Sequence, residues 1–172
     1  MRSLYPTFLS PRRSVAALCL TFFALLFSGC ETTSNGHSKN GYVSRFGVMS
    51  LGDDGKYHVF AETTQIHRLV DQNYVHGFEV ARKGGSRFLG HFVVHFPEPI
   101  KITPDVEKAY TVRDGGRTLE SPEEIYWGLY SSPFWFSADD PLGPYSIDVY
   151  IDGELYRTFS YEVVPFGNDV TF

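Results

Sequence analysis

The chain has 172 residues, a formal net charge of −5 and 16% aromatic residues, which provides for one ring-rich domain on the usual size prior. The acidic balance argues against nucleic acid and against electrostatic docking on anionic lipid. With only two cysteines, Cys19 and Cys30, at most one disulfide is available, so the fold has to rest on apolar burial.

The first thirty residues read as an export signal. Arg2, Arg12 and Arg13 form a positive region, an apolar run extends from Val15 to Phe27, and the small residues Ser28 and Gly29 precede Cys30. The apolar run falls short of the roughly 20 residues that cross a hydrocarbon core. Phe27-Ser28-Gly29-Cys30 resembles the lipobox of bacterial lipoproteins, with Phe where Leu is usual. The resemblance implies cleavage between Gly29 and Cys30 and a diacylglycerol on the Cys30 thiol. It also implies a body held on the cell envelope, facing the periplasm. Glu31 after the cysteine, rather than Asp, resembles lipoproteins released to the outer membrane. An ordinary signal with a chance cysteine is the alternative. The Arg12-Arg13 pair lacks the fuller twin-arginine motif, so general secretion is the expected route. Loss of residues 1–29 removes three arginines and leaves 12 Lys+Arg against 20 Asp+Glu, a formal charge of −8. It also removes Cys19; a Cys19–Cys30 disulfide requires that the signal be kept. Membrane contact is then expected from the anchor alone.

After the lipidated residue, 30–42 is polar and without apolar period, as expected of a flexible tether. The following residues alternate with the period of strands. The pattern predicts strands at Val43–Leu51, Tyr57–Arg68, Val75–Arg82, Arg87–Phe96, Ala109–Val112, Glu124–Tyr130, Tyr145–Ile151 and Leu155–Val164. Gly52-Asp53-Asp54-Gly55, Lys83-Gly84-Gly85-Ser86 and Asp114-Gly115-Gly116 are turn sequences expected to join antiparallel neighbours. Ser121-Pro122-Glu123-Glu124 has the chemistry of a helix start, but Ile125, Trp127 and Leu129 alternate as in a strand. The clearest unit is a hairpin in which Tyr145, Ile147, Val149 and Ile151 share a face, Asp152-Gly153 turns the chain, and Phe159, Tyr161 and Val163 continue that face.

Eight short strands with turns at close spacing define an all-β, antiparallel two-sheet sandwich or barrel. The Gly143-Pro144-Tyr145 to Val164 hairpin resembles the last hairpin of immunoglobulin-like sandwich domains of bacterial surface proteins. Arg45-Phe46-Gly47-Val48, Gly77-Phe78-Glu79-Val80 and His95-Phe96-Pro97-Glu98-Pro99 extend the likeness to an uncharacterised family of small bacterial immunoglobulin-like domains. The resemblance implies a sandwich over 43–166 and a C-terminal tail over 167–172, and transfers no chemistry. Gly167 to Phe172 partly resembles the terminal strand signal of outer-membrane barrels but lacks its second aromatic.

No catalytic residue, metal site or cofactor is predicted. His91 and His95 lie four apart on one strand, about 13 Å along the same face, too far to share an ion. His58, His67 and His76 fall elsewhere, and structural or surface roles are expected for them. Gly84-Gly85-Ser86-Arg87-Phe88 lacks the last glycine of a nucleophile elbow. Asp53-Asp54, Glu123-Glu124 and Asp139-Asp140 read as turn and cap residues. The candidate interaction surface is the aromatic stretch containing Tyr126, Trp127, Tyr130, Phe134, Trp135 and Phe136, with a covered core role as the alternative. The expected function is a lipid-anchored, non-catalytic binding or scaffolding module with an envelope protein as partner. A periplasmic inhibitor or immunity protein is one alternative; a histidine-based metal carrier or enzyme is another.

Overall fold

The computed structural model describes residues 37–71 and 73–167; the signal, Cys30 and the last five residues lie outside it. All described residues belong to one unit, Ser34–Phe172. Its strands, in chain order, are β1 His37–Lys39, β2 Tyr42–Leu51, β3 Tyr57–Glu62, β4 Gln65–Arg68, β5 Val75–Arg82, β6 Arg87–His95, β7 Thr111–Arg113, β8 Thr118–Glu120, β9 Glu124–Trp127, β10 Leu129–Phe134, β11 Gly143–Ile151 and β12 Glu154–Pro165. One sheet runs β1-β2-β5-β10 with β3 also beside β2. The other runs β4-β12-β11-β6-β8-β7 with β9 also beside β6. The two sheets face each other across an aromatic core, an all-β two-sheet sandwich as the residue pattern indicates.

The inward residues are those the period of two selects. Tyr145, Ile147, Val149 and Ile151 of β11 and Phe159, Tyr161 and Val163 of β12 are all buried. Phe159 stacks on Phe46 of β2 at 5.6 Å and on Phe78 of β5 at 6.0 Å, which ties the sheets together through one ring. Each such buried ring contributes about 2–3 kcal/mol of transfer free energy before entropy is counted. At the tip, Asp152 and Gly153 both take positive φ (51° and 81°), the pairing of a primed hairpin turn. A bulge follows: Val149 pairs Arg157 while Tyr150 pairs Leu155. The extra residue, Tyr156, is buried and reaches the Ser44 hydroxyl at 3.3 Å.

Gly47 and Gly77 face each other on β2 and β5, and Gly77 also pairs with Pro133 on β10. A Cβ on Gly47 would lie 2.0 Å from the Ala61 carbonyl oxygen, and one on Gly77 2.1 Å from that of Ser132. Only glycine allows the neighbouring strands to approach so closely. Just beyond this row, Met49, Val59 and Val75 form a second small cluster against Tyr57.

Several expectations are corrected. The stretch read as one strand from Tyr57 to Arg68 breaks at Thr63-Thr64, where the Thr63 hydroxyl both donates to the Gln65 carbonyl and accepts from its N–H. Its halves join opposite sheets, and β4 pairs with β12 in parallel, so the sandwich is not antiparallel throughout. Glu124–Tyr130 likewise divides at Gly128 (φ 71°) into β9 and β10, again in opposite sheets. Lys83–Ser86 joins β5 to β6 across the sandwich instead of joining sheet neighbours. The strand expected at Ala109–Val112 is the end of a helix, α1 (Pro104–Ala109), followed by β7. Thr103 caps that helix through its hydroxyl and Pro104 opens it. Ser121 is no helix cap; its hydroxyl accepts from the Phe92 N–H at 2.9 Å. Finally, β1 forms inside the segment read as tether.

Candidate functional site

Where β5 and β11 begin and β6 and β10 end, the two sheets part. The opening is a cavity of about 510 Å³, within the range that admits small ligands. Phe92, Val94 and Phe96 of β6 and its exit point inward by strand alternation and line one wall, with Leu119 of β8 beside them. Ile100, Val106 and Tyr110 bring the α1 segment over that wall, and Phe134, Trp135 and Phe136 supply the opposite side. The rim is polar. Lys101 and Asp139 are paired at 3.6 Å, the Asp140 carboxylate accepts the Ser137 N–H at 2.7 Å, and Arg68 donates to the Asp140 carbonyl oxygen at 2.7 Å. Tyr145 donates its hydroxyl proton to the Pro141 carbonyl at 2.7 Å, which fixes the same loop from the other end.

His76 is the polar group of this cavity. The ring is 2% exposed, lies stacked on Phe136 at 4.4 Å and 11°, and has a tilted contact with Tyr161 at 5.7 Å. Its Nδ1 has no hydrogen-bond partner. Burial pushes its pKa down to about 3, against a smaller opposing pull from a backbone hydrogen bond with Phe134. The ring is therefore neutral at physiological pH and retains an unsatisfied polar atom among aromatic walls. Burial likewise raises the Tyr145 and Tyr161 hydroxyl pKa values, so both stay protonated. The arrangement can hold an uncharged apolar or aromatic group against its aromatic walls.

The predicted aromatic stretch is divided between the two ends of the sandwich. Tyr130 (1% exposed) and Phe136 (8%) are core, so the stretch is not one exposed surface. Tyr126 is half-buried and stacks on Tyr130 at 4.0 Å; burial and the neighbouring Glu124 carboxylate push its pKa up to about 12. Phe134 is half-buried against Phe92 at 5.2 Å. Trp127 (68% exposed) points outward at the far end, and Trp135 (46%) lies at the rim of the cavity, edge-on to Tyr57. The physical reason is the switch of sheets at Gly128 together with alternation along β10. Gly29 and Cys30 lie outside the described residues. Sequence reasoning left His76 among the bland histidines, and no signal within its own strand marks the cavity. The Thr103-Pro104 helix start was the readable clue to the covering wall.

His58, His67, His91 and His95 each have a polar or aromatic neighbour, and His91 Nδ1, like His76 Nδ1, is buried without a hydrogen bond. His58 is set between Asp54 at 3.1 Å and Glu79 at 3.3 Å. His91 stacks on Tyr150, and Glu123 lies 3.8 Å from it. His95 contacts Asp148 at 3.1 Å and His67 the Pro165 carbonyl at 3.3 Å. Among the described residues no three His, Cys, Asp or Glu side chains are grouped to hold a metal ion.

Fold and site together define a two-sheet β-sandwich with an aromatic cavity at one end. The chain belongs to the family of the PM0630 beta sandwich domain, matched over residues 44–164, a family named for its architecture and not for an activity. It is similar to an immunoglobulin-like protein, PA1606, from Pseudomonas aeruginosa, with 13% identity, a TM-score of 0.42 and coverage of 75% of this chain and 94% of that one. It is also similar to the Pseudomonas fluorescens alkylpurine DNA glycosylase AlkC in a structure bound to DNA, with 9% identity, a TM-score of 0.29 and coverage of 70% of this chain and 30% of that one. No curated protein matches the chain.

Proposed function

We propose that this protein is an envelope lipoprotein, anchored through Cys30 and facing the periplasm, whose sandwich is a non-catalytic binding module. The outer membrane is the expected site of anchoring. The observation that carries the binding role is the cavity itself, walled by Phe92, Phe134, Phe136 and the buried His76 ring. The partner is an envelope component that presents an uncharged apolar or aromatic group to this opening, with Trp135 as the contact at its rim.

In-cell photocrosslinking tests the assignment. A photoreactive residue at position 135 is expected to capture a discrete species that is lost in a second-site His76→Phe variant. The same residue at Leu155, exposed at the opposite end of the sandwich, is expected to capture none of it. Equal capture from both positions, or none from 135, contradicts a binding role for the cavity.

A further inference from the structure

The end of the sandwich opposite the cavity gathers four turns. The Lys83 N–H donates to the Gly41 carbonyl at 3.0 Å and the Arg82 N–H to that of Gly128 at 2.7 Å. The Tyr42 hydroxyl reaches the Asp152 carboxylate at 3.5 Å. This is also the end near which the chain enters, since His37, the first described residue, pairs with Ser44, two positions along from Tyr42. Between Cys30 and His37 lie six residues, which span about 25 Å when fully extended. His37 lies nearer this end than the cavity, and an acyl chain on Cys30 holds the domain within about 25 Å of the bilayer at that residue.

The same end carries an apolar patch on the outward face of β6 and β9. Arg87 pairs with Trp127 and Leu89 with Ile125, so the four side chains share one face. Trp127, Ile125 and Leu89 are 68%, 56% and 38% exposed. Lys83 and Arg87 are exposed beside them and make no ion pair among the described residues. Arg82 donates to the Arg87 carbonyl and lies over the Tyr42 ring. The acids of this end are partly engaged: Asp152 accepts the Leu89 N–H, Glu124 accepts the Tyr126 hydroxyl, and Glu123 faces His91, while Glu154 is exposed. Lys83 and Arg87 thus flank an exposed tryptophan, on an end where the acids Glu123, Glu124, Asp152 and Glu154 offset them in the formal count. Asp139 and Asp140 lie at the other end.

We propose that this end rests on the phospholipid surface, with Trp127, Ile125 and Leu89 in the interfacial layer and Lys83 and Arg87 against headgroup phosphates. Indole rings favour that layer, and each cation near an anionic surface adds about 1 kcal/mol. Neither term suffices alone, but tethering makes the contact effectively intramolecular. The proposal rests on the lipoprotein reading and adds a protein contact to the membrane contact expected from the anchor alone. It also turns the cavity away from the bilayer, toward the periplasm.

The full membrane form, reconstituted in phosphatidylethanolamine and phosphatidylglycerol vesicles with or without brominated acyl chains, provides the test. In a Trp135→Phe protein, emission comes from Trp127; in a Trp127→Phe protein, from Trp135. The expected result is a blue shift and bromine quenching of Trp127 with Trp135 unaffected, and a loss of that quenching in Lys83→Glu/Arg87→Glu. Protein that floats with the vesicles while Trp127 stays unquenched, or is quenched no more than Trp135, overturns the docking and leaves the anchor standing. Protein that fails to float overturns both. A blue shift of Trp127 that grows with protein concentration in detergent, without lipid, overturns it in favour of a second copy of the chain.

Discussion

His76 links the interior to pH. Its pKa in the folded chain, about 3, lies below the ordinary histidine value of 6.5, so below pH 6.5 the unfolded chain binds a proton that the folded one excludes. Stability from this group is unchanged above pH 6.5 and falls by about 1.4 kcal/mol per pH unit as pH drops from 6.5 toward 3. Denaturant titrations across that window are expected to show a shallower pH slope in His76→Gln by one proton; an unchanged slope contradicts the assignment. Gly77 sets a steric limit. Gly77→Ala places a Cβ 2.1 Å from a backbone oxygen and is expected to cost at least about 3 kcal/mol. Gly84→Ala, which meets no atom within 4 Å and has only its positive φ to strain, costs about 1–2 kcal/mol. Urea midpoints measure the difference, and equal costs at the two positions count against the close approach.

Among the elements, the β11–β12 hairpin was the most legible in sequence, because its alternation is uninterrupted and Asp-Gly names its turn. Asp152 does more than turn the chain, since its carboxylate accepts the Leu89 N–H at 3.0 Å and so ties the tip to β6. Asp152→Asn keeps tolerance of positive φ, whereas Asp152→Ala loses both that tolerance and the acceptor; the alanine variant is expected to be less stable by about 1–2 kcal/mol, read by thermal unfolding. Equal stability would show that the side-chain bond contributes nothing. Two sheet-switching strands were not legible, because alternation specifies the face of a residue but not the sheet it joins. At Thr63-Thr64 and at Gly128 the inward pattern continues while the hydrogen-bond partners change. Helix α1 was legible in principle, through Thr103-Pro104 with Asp105 and Glu107 in its first turn. It was overlooked because six residues are too few to establish a helical period.

For the whole molecule, the sandwich presents two unlike ends, a cavity with a polar rim and a tryptophan-bearing end near the chain's entry. Neither is written in any contiguous stretch. The cavity assembles Phe92, Phe136 and His76 from three separated segments, and only the folded sheets bring them together. The aromatic run from Tyr126 to Phe136 does not stay together, since its members are divided between both ends and the core. The proposed role turns on the proposed anchor at Cys30, which would hold the domain at a membrane. The most direct measurement is the intact mass of the protein extracted from membranes, beside that of Cys30→Ser. A chain beginning at Cys30 and carrying diacylglycerol, with the serine variant uncleaved at that position and free of lipid, is the predicted result; a wild-type protein without lipid, identical in processing and fractionation to the variant, would contradict the account.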